Sequence, residues 1–142
     1  MRLLLERPEK PELKNRCNMR KYIGKIKNKT KAKEYRRKLV IRKKIDGAAE
    51  TPRLCAIKTN KHLQVQVIDD VSNKTLFSVQ TFGKNKATNK SNKEGAKILG
   101  AQLAEMLKKK KITSAVFDRN GKQYTGVIAQ VATSLRENGI NI

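Results

Sequence analysis

Eighteen of the chain's 34 Lys and Arg residues fall within its first 44 positions, which hold only four acids. Residues 1–44 therefore carry +14 of the +22 net charge, and residues 45–142, more than twice as long, carry the other +8. Like charge at that density repels itself and destabilises a compact state. The basic stretch therefore does not belong inside a globular unit. It reads as an arm attached to a small domain, neutralised by a polyanion, and nucleic acid is the expected polyanion ahead of an anionic membrane.

At 142 residues the sequence allows one domain plus such an appendage. No apolar run approaches the roughly 18 residues that span a bilayer. Met1-Arg2-Leu3-Leu4-Leu5 is too short for a signal peptide's apolar region, and Glu6, Glu9 and Glu12 spoil the acid-poor composition of a transit peptide. A cytoplasmic protein with no membrane partner is expected. Cys17 and Cys55 lie 38 positions apart with no CxxC and no ligand-spaced His, so neither a disulfide nor a metal site is expected. Cys55 reads as a buried thiol in an apolar strand. Nothing calls for a cofactor or a small-molecule substrate.

Three regions differ in texture. Residues 1–18 are mixed in charge, contain Pro8 and Pro11, and show no sustained period. They read as an atypical extension, either an upstream start or a lineage-specific addition before Met19. Residues 19–45 form the basic arm. Its first part alternates Lys25, Lys27, Lys29, Lys31 and Lys33 too densely for one solvated helix face, and reads as disordered when free. From about Ala32 to Ile45 helix formers take over, with Tyr35, Leu39 and Arg42–Lys43 at helical spacing. A helix completed on contact with the partner is expected there, ended by Asp46-Gly47.

Residues 46–142 read as a globular α/β domain. Leu54 to Lys58 is a short strand, apolar on both faces and so central. His62 to Asp69 alternates Leu63, Val65 and Val67 with Gln64 and Gln66, and Thr75 to Gln80 completes an antiparallel meander. Ser91-Asn92-Lys93-Glu94 has capping-box spacing, with Ser91 as N-cap. Ala96, Leu99, Leu103 and Met106–Leu107 make one helical stripe. Lys108–Lys111 close it, either as a solvated helix end that the macrodipole favours or as RNA contacts. Ile112 to Phe117 is a fourth strand and Asp118-Arg119-Asn120-Gly121 a turn. A last helix carries Ile128, Val131 and Leu135 and stops at Gly139. The order β-β-β-α-β-α predicts a mixed sheet with packed helices, the fourth strand parallel to and near the first.

The residues also suggest a mode of binding. The chain has six aromatics, Tyr22, Tyr35, Phe77, Phe82, Phe117 and Tyr124, and the three Phe fall in or beside strands as core or sheet-edge groups. That leaves too few for a platform that stacks single strands. Abundant Lys, Arg, Asn and Gln suit phosphate and 2′-hydroxyl contacts to a folded RNA read by shape. Arg37, Arg42 and Arg53 are the candidate bidentate phosphate grips. Asp69, Asp70 and Asp118 near strand ends raise a metal-dependent nuclease as an alternative, but few acids and no His partner accompany them. A generic nucleic-acid-binding polycation is the other. The GxxxxGK[ST], HExxH and GxSxG patterns are absent, as is any helix-turn-helix or zinc-finger spacing, so no enzyme activity is expected.

A resemblance runs from about Lys21 to Ile142. Its blocks are Arg37-Lys38-Leu39, Arg42-Lys43-Lys44-Ile45, Thr51-Pro52-Arg53-Leu54, Lys58-Thr59-Asn60-Lys61-His62, Gln66-Val67-Ile68-Asp69-Asp70, Phe117-Asp118-Arg119-Asn120-Gly121 and Ser134-Leu135-Arg136-Glu137-Asn138-Gly139. In that order they resemble the bacterial-type large-subunit ribosomal proteins of the L-eighteen family. The resemblance implies an α/β domain, binding to 5S rRNA, contact with 23S rRNA, and a place in the central protuberance beside neighbouring 5S-binding ribosomal proteins. Two positions depart from the family pattern. Tyr124-Thr125-Gly126-Val127 stands where Tyr-His-Gly-Arg is usual, and Gln64 stands where Tyr is frequent.

The candidate RNA contacts in the arm are Lys21, Lys25, Lys27, Lys29, Lys33, Arg36, Arg37, Lys38, Arg42, Lys43 and Lys44. In the domain they are Arg53, Lys58, Asn60, Lys61, His62, Arg119, Lys122 and Tyr124. His62 has a second reading as a simple strand-start residue, and Arg119 as half of an internal pair that shapes its turn.

Overall fold

The computed structural model describes residues 26–142, position 85 excepted. The extension 1–18 and the first part of the arm, residues 19–25, lie outside the described residues.

Helix α1 spans Lys29–Arg42, three residues earlier at each end than the sequence pattern suggests. Asn28 sets the start. Its Oδ1 accepts hydrogen bonds from the backbone N–H of Thr30 at 2.9 Å and Lys31 at 3.3 Å, satisfying two donors that a helix start leaves open. The lysine density masks this cap in the sequence, because like charge alone argues against a helix there. Asp46-Gly47 lies past the helix end and has a different task. Gly47 N–H donates to the Asp70 carboxylate at 2.9 Å, and its carbonyl accepts from Asp70 N–H at 3.0 Å. The connection from α1 is thereby stitched to the sheet.

Strands β1 (Arg53–Lys58), β2 (Leu63–Asp69), β3 (Lys74–Gln80) and β4 (Val116–Asp118) form one sheet in the order β3-β2-β1-β4. β1–β2 and β2–β3 are antiparallel, and β4 lies parallel beside β1. The mixed sheet and the parallel fourth strand match the sequence expectation. β4 itself is shorter than the expected Ile112–Phe117 strand. Residues 113–115 bond instead to the chain's last residues, Ala115 N–H to the Asn141 carbonyl and Asn141 N–H to the Thr113 carbonyl, both 2.9 Å.

Helix α2 spans Lys93–Lys109 and α3 spans Val127–Glu137. The N-cap of α2 is Asn92, not Ser91: Asn92 Oδ1 accepts from Gly95 N–H at 3.0 Å. Asn caps a helix as well as Ser does. Glu94 does not close a box on Ser91, but forms an ion pair with Lys90 at 3.2 Å. The core lies between the helices and one face of the sheet. Leu99, Leu103, Leu107, Val131 and Leu135 pack against Leu54, Ala56, Leu63, Val65, Val67 and Val79. Each fully buried Leu or Val contributes about 1.5–3 kcal/mol. The helices meet closely at Gly100, where a Cβ would stand 2.7 Å from the Ser134 Cβ, and Ser134 Oγ donates to the Lys97 carbonyl. Cys55 is buried on the opposite face, and burial pushes its thiol pKa up, as expected of an inert side chain.

Strand polarity decides which loops meet. β1, β3 and β4 all run towards one end of the sheet, and β2 starts from it. The tip between β1 and β2 and the segment after β3 therefore lie together at that end, while β4 pairs only as far as Cys55 and its turn follows along the sheet's β4 edge. Among the described residues no helix is long and apolar enough to cross a membrane.

Candidate nucleic-acid interface

α1 contributes no buried residue, and Lys29, Lys31, Lys33, Arg36, Arg37 and Lys43 on it or at its end are exposed, as are Lys27 and Lys44. A helix so charged keeps a fixed position only if something on the domain holds it. Contacts with Lys122, Asp118 and Gly121 help to do so. Glu34, the single acid of the helix, pairs with Lys122 at 2.7 Å. Arg42 Nε approaches the Asp118 carboxylate at 4.0 Å. Between them the helix backbone lies against Gly121, where a Cβ would fall 2.5 Å from the Glu34 carbonyl oxygen.

The turn that receives the helix is built by its own sequence. Asn120 and Gly121 have φ of 52° and 76°, and Lys122 N–H donates to the Arg119 carbonyl at 3.0 Å. This is the pattern of a type I′ turn, which favours Asn-Gly. Asp118 Oδ1 accepts from Asn120 N–H at 2.7 Å. Arg119 does not pair with Asp118, whose carboxylate is taken by Arg53, but donates from its guanidinium to the Lys122 carbonyl across the turn. Gly121 is thus required twice, by its φ and by the helix resting on it.

Arg53 departs from its expected role. It is only 4 % exposed. Its Nε and Nη2 donate to the two Asp70 oxygens at 2.7 and 2.6 Å, and its Nη1 donates to Asp118 at 3.1 Å. The hydrogen bond to Asp70 raises the guanidinium pKa further, against the opposing effect of burial. Partial burial works to raise the Asp70 pKa, but its hydrogen bonds from Arg53 and Gly47 win and hold it below the usual carboxylate range. Arg53 therefore clamps the start of β1 to the β2–β3 turn and the end of β4. It is an internal clamp rather than a phosphate grip, because two carboxylates occupy its fork and little of it reaches solvent. The same pairing bears on the nuclease alternative. Asp70 and Asp118 spend their lone pairs on Arg53 and on backbone amides, and Asp69 spends its own on Ser72 and Val71. Among the described residues no group of three or more His, Cys, Asp or Glu is placed to hold a metal ion.

The remaining candidates divide between the β1–β2 tip and the α1–β4 side of the sheet. Asn60, Lys61 and His62 are exposed at the β1–β2 tip, and Lys58 is half-buried beside them. Lys122 is half-buried and engaged with Glu34, and Lys38 and Arg42 are half-buried on α1. Tyr124 is 43 % exposed, packs edge-on against Phe117, and accepts a hydrogen bond from Arg136 at 3.2 Å. Lys21 and Lys25 lie outside the described residues. Lys108–Lys111 occupy the opposite end of the sheet, where α2 terminates, and Lys110 Nζ stands 5.6 Å over the Phe77 ring. Phe82, read from sequence as a core or sheet-edge group and not as an RNA contact, follows the edge strand β3 and is 37 % exposed beside His62.

With this geometry in view, known proteins locate the chain. The large ribosomal subunit protein uL18 of Campylobacter jejuni is 51 % identical over 107 residues, covering 75 % of this chain and 88 % of that protein. The protein of the same name from Chlamydia caviae is 47 % identical over 115 residues, covering 79 % and 94 % respectively. That of Treponema denticola is 43 % identical over 118 residues, covering 83 % and 98 %. The sequence profile described as ribosomal L18 of archaea, bacteria, mitochondria and chloroplast matches residues 20–142. The matched stretch takes in α1, its seat on Gly121 and the whole sheet, and the chain belongs to the ribosomal L18 family.

Proposed function

We propose that this protein is a structural constituent of the large ribosomal subunit that binds 5S rRNA. In this reading it helps attach 5S rRNA to 23S rRNA in the central protuberance, beside neighbouring 5S-binding ribosomal proteins, and it works in the cytoplasm. The observation that carries the reading is the seating of a cationic helix on Gly121, beside the β4 edge of a sheet whose β1–β2 tip also carries exposed cations. Membership of the ribosomal L18 family supports it. The arm, residues 19–45, supplies most of the phosphate contacts and the domain, residues 46–142, supplies the rigid support. The contacts are those of α1 and its flanks, the β1–β2 tip and the turn after β4, without Arg53.

The test is a comparison of partners. The protein should bind isolated 5S rRNA far more tightly than bulk transfer RNA at physiological salt. Log K should fall steeply with log salt, by roughly 0.7–0.9 for each phosphate neutralised. Equal affinities for the two RNAs would reduce the protein to a generic polycation.

A further inference from the structure

Charge accounts for most of the basic end of the sheet but not for its two aromatic rings. His62 precedes β2 and Phe82 follows β3. Both are exposed, and their ring centroids stand 5.1 Å apart at an interplanar angle of 52°. Neither ring joins the hydrophobic core. Their separation is set by the backbone between them. The buried Thr81 hydroxyl accepts from Leu63 N–H at 2.9 Å and donates to the Leu63 carbonyl at 3.2 Å, and Thr81 N–H donates to that carbonyl at 3.0 Å. Residues 62 and 82 flank this pair, tied by three hydrogen bonds, and are held side by side. Behind His62 the tip is closed by Thr59, whose N–H donates to the His62 carbonyl at 2.9 Å and whose hydroxyl accepts from His62 N–H at 3.0 Å. The flanking sequence is cationic: segments 58–62 and 81–93 contain Lys58, Lys61, Lys84, Lys86, Lys90 and Lys93 and no acid.

An exposed, preorganised aromatic pair flanked by lysines has the composition that stacks a nucleobase and holds its flanking phosphates. We infer that His62 and Phe82 form a stacking site for one unstacked base of a structured RNA. Two rings suffice for one base, so the shortage of aromatics elsewhere is no obstacle. The site rests on the RNA-binding reading above and adds a recognition mode to it, since stacking on an extruded base requires a bulge or loop rather than a continuous helix.

The chain contains no Trp, so Phe82→Trp introduces a single indole at the site, which can be excited apart from the three tyrosines. In the full chain this variant should keep its affinity for 5S rRNA, and its emission should be quenched on binding. Phe82→Leu, which keeps an apolar group but no π-face, should lose roughly ten-fold in affinity. The salt slope should be unchanged, because stacking releases no counterions. Unquenched emission from the Phe82→Trp variant, or a Phe82→Leu variant that binds like the parent, would overturn the stacking site while the preference for 5S rRNA survived. Loss of that preference in the parent protein, with the introduced indole still quenched by both RNAs, would overturn the functional reading and leave the stacking site standing.

Discussion

Arg53, Asp70 and Asp118 show how single side chains hold the frame on which the basic surface is mounted. Asp118 is fully buried and Arg53 nearly so, and a buried charge that loses its partner costs about 3–5 kcal/mol. The Asp70 carboxyl is held below its usual pKa in the folded state. Its contribution to stability is therefore complete above the ordinary Asp value of about 3.9 and is lost as pH falls through the lower folded value. Thermal melts should be nearly level from neutral pH to about pH 5 and fall steeply below about pH 4. Asp70→Asn should melt lower at pH 7 and show a shallower acid limb. An acid limb as steep as the parent's would place the titrating groups elsewhere.

At the level of elements, α1 and the domain divide their work. The core contains no residue of α1, and the helix touches the domain through Glu34–Lys122, Arg42–Asp118 and the backbone at Gly121. Removing residues 1–44 should leave a domain that melts cooperatively, because the buried stripe of α2, α3 and the sheet is intact. Its affinity for 5S rRNA should drop by orders of magnitude with a shallower salt slope, as fewer counterions are released. Val67→Asp is the contrasting change: it buries an unpaired charge at a position with no exposure and should abolish the melt. Calorimetry and filter binding on both variants decide the point. A deletion that fails to fold would make α1 part of the domain's structure.

The molecule as a whole is polar, with the β1–β2 tip and the segment after β3 at one end of the sheet, α1 seated beside the β4 edge, and Lys108–Lys111 at the other end. Replacing Lys58 and Lys61 by Ala should weaken binding to 5S rRNA and lower the salt slope by about two phosphates' worth. Replacing Lys108 and Lys109 by Ala should change both much less, since these residues sit where α2's dipole already favours cations. Equal losses would mean the RNA reaches both ends. The elements themselves were largely legible in the sequence because their signals are local: the Leu63, Val65, Val67 alternation, the Leu99–Leu103–Leu107 stripe, and Asn-Gly at the turn after β4. Ser91 and Asn92 cap equally well by residue type, and the capping-box spacing points to Ser91 where the folded chain uses Asn92. Arg53 read as a surface cation because its partners are 17 and 65 positions away, beyond any local pattern. Phe82 reads from sequence as core or sheet edge because a Phe beside a strand fits either. Sequence alone established the charge, the element order and the family resemblance. Which cations became buried clamps, and which loops came to share one end of the sheet, followed only from the strand register, because contact between distant residues is a property of the folded chain.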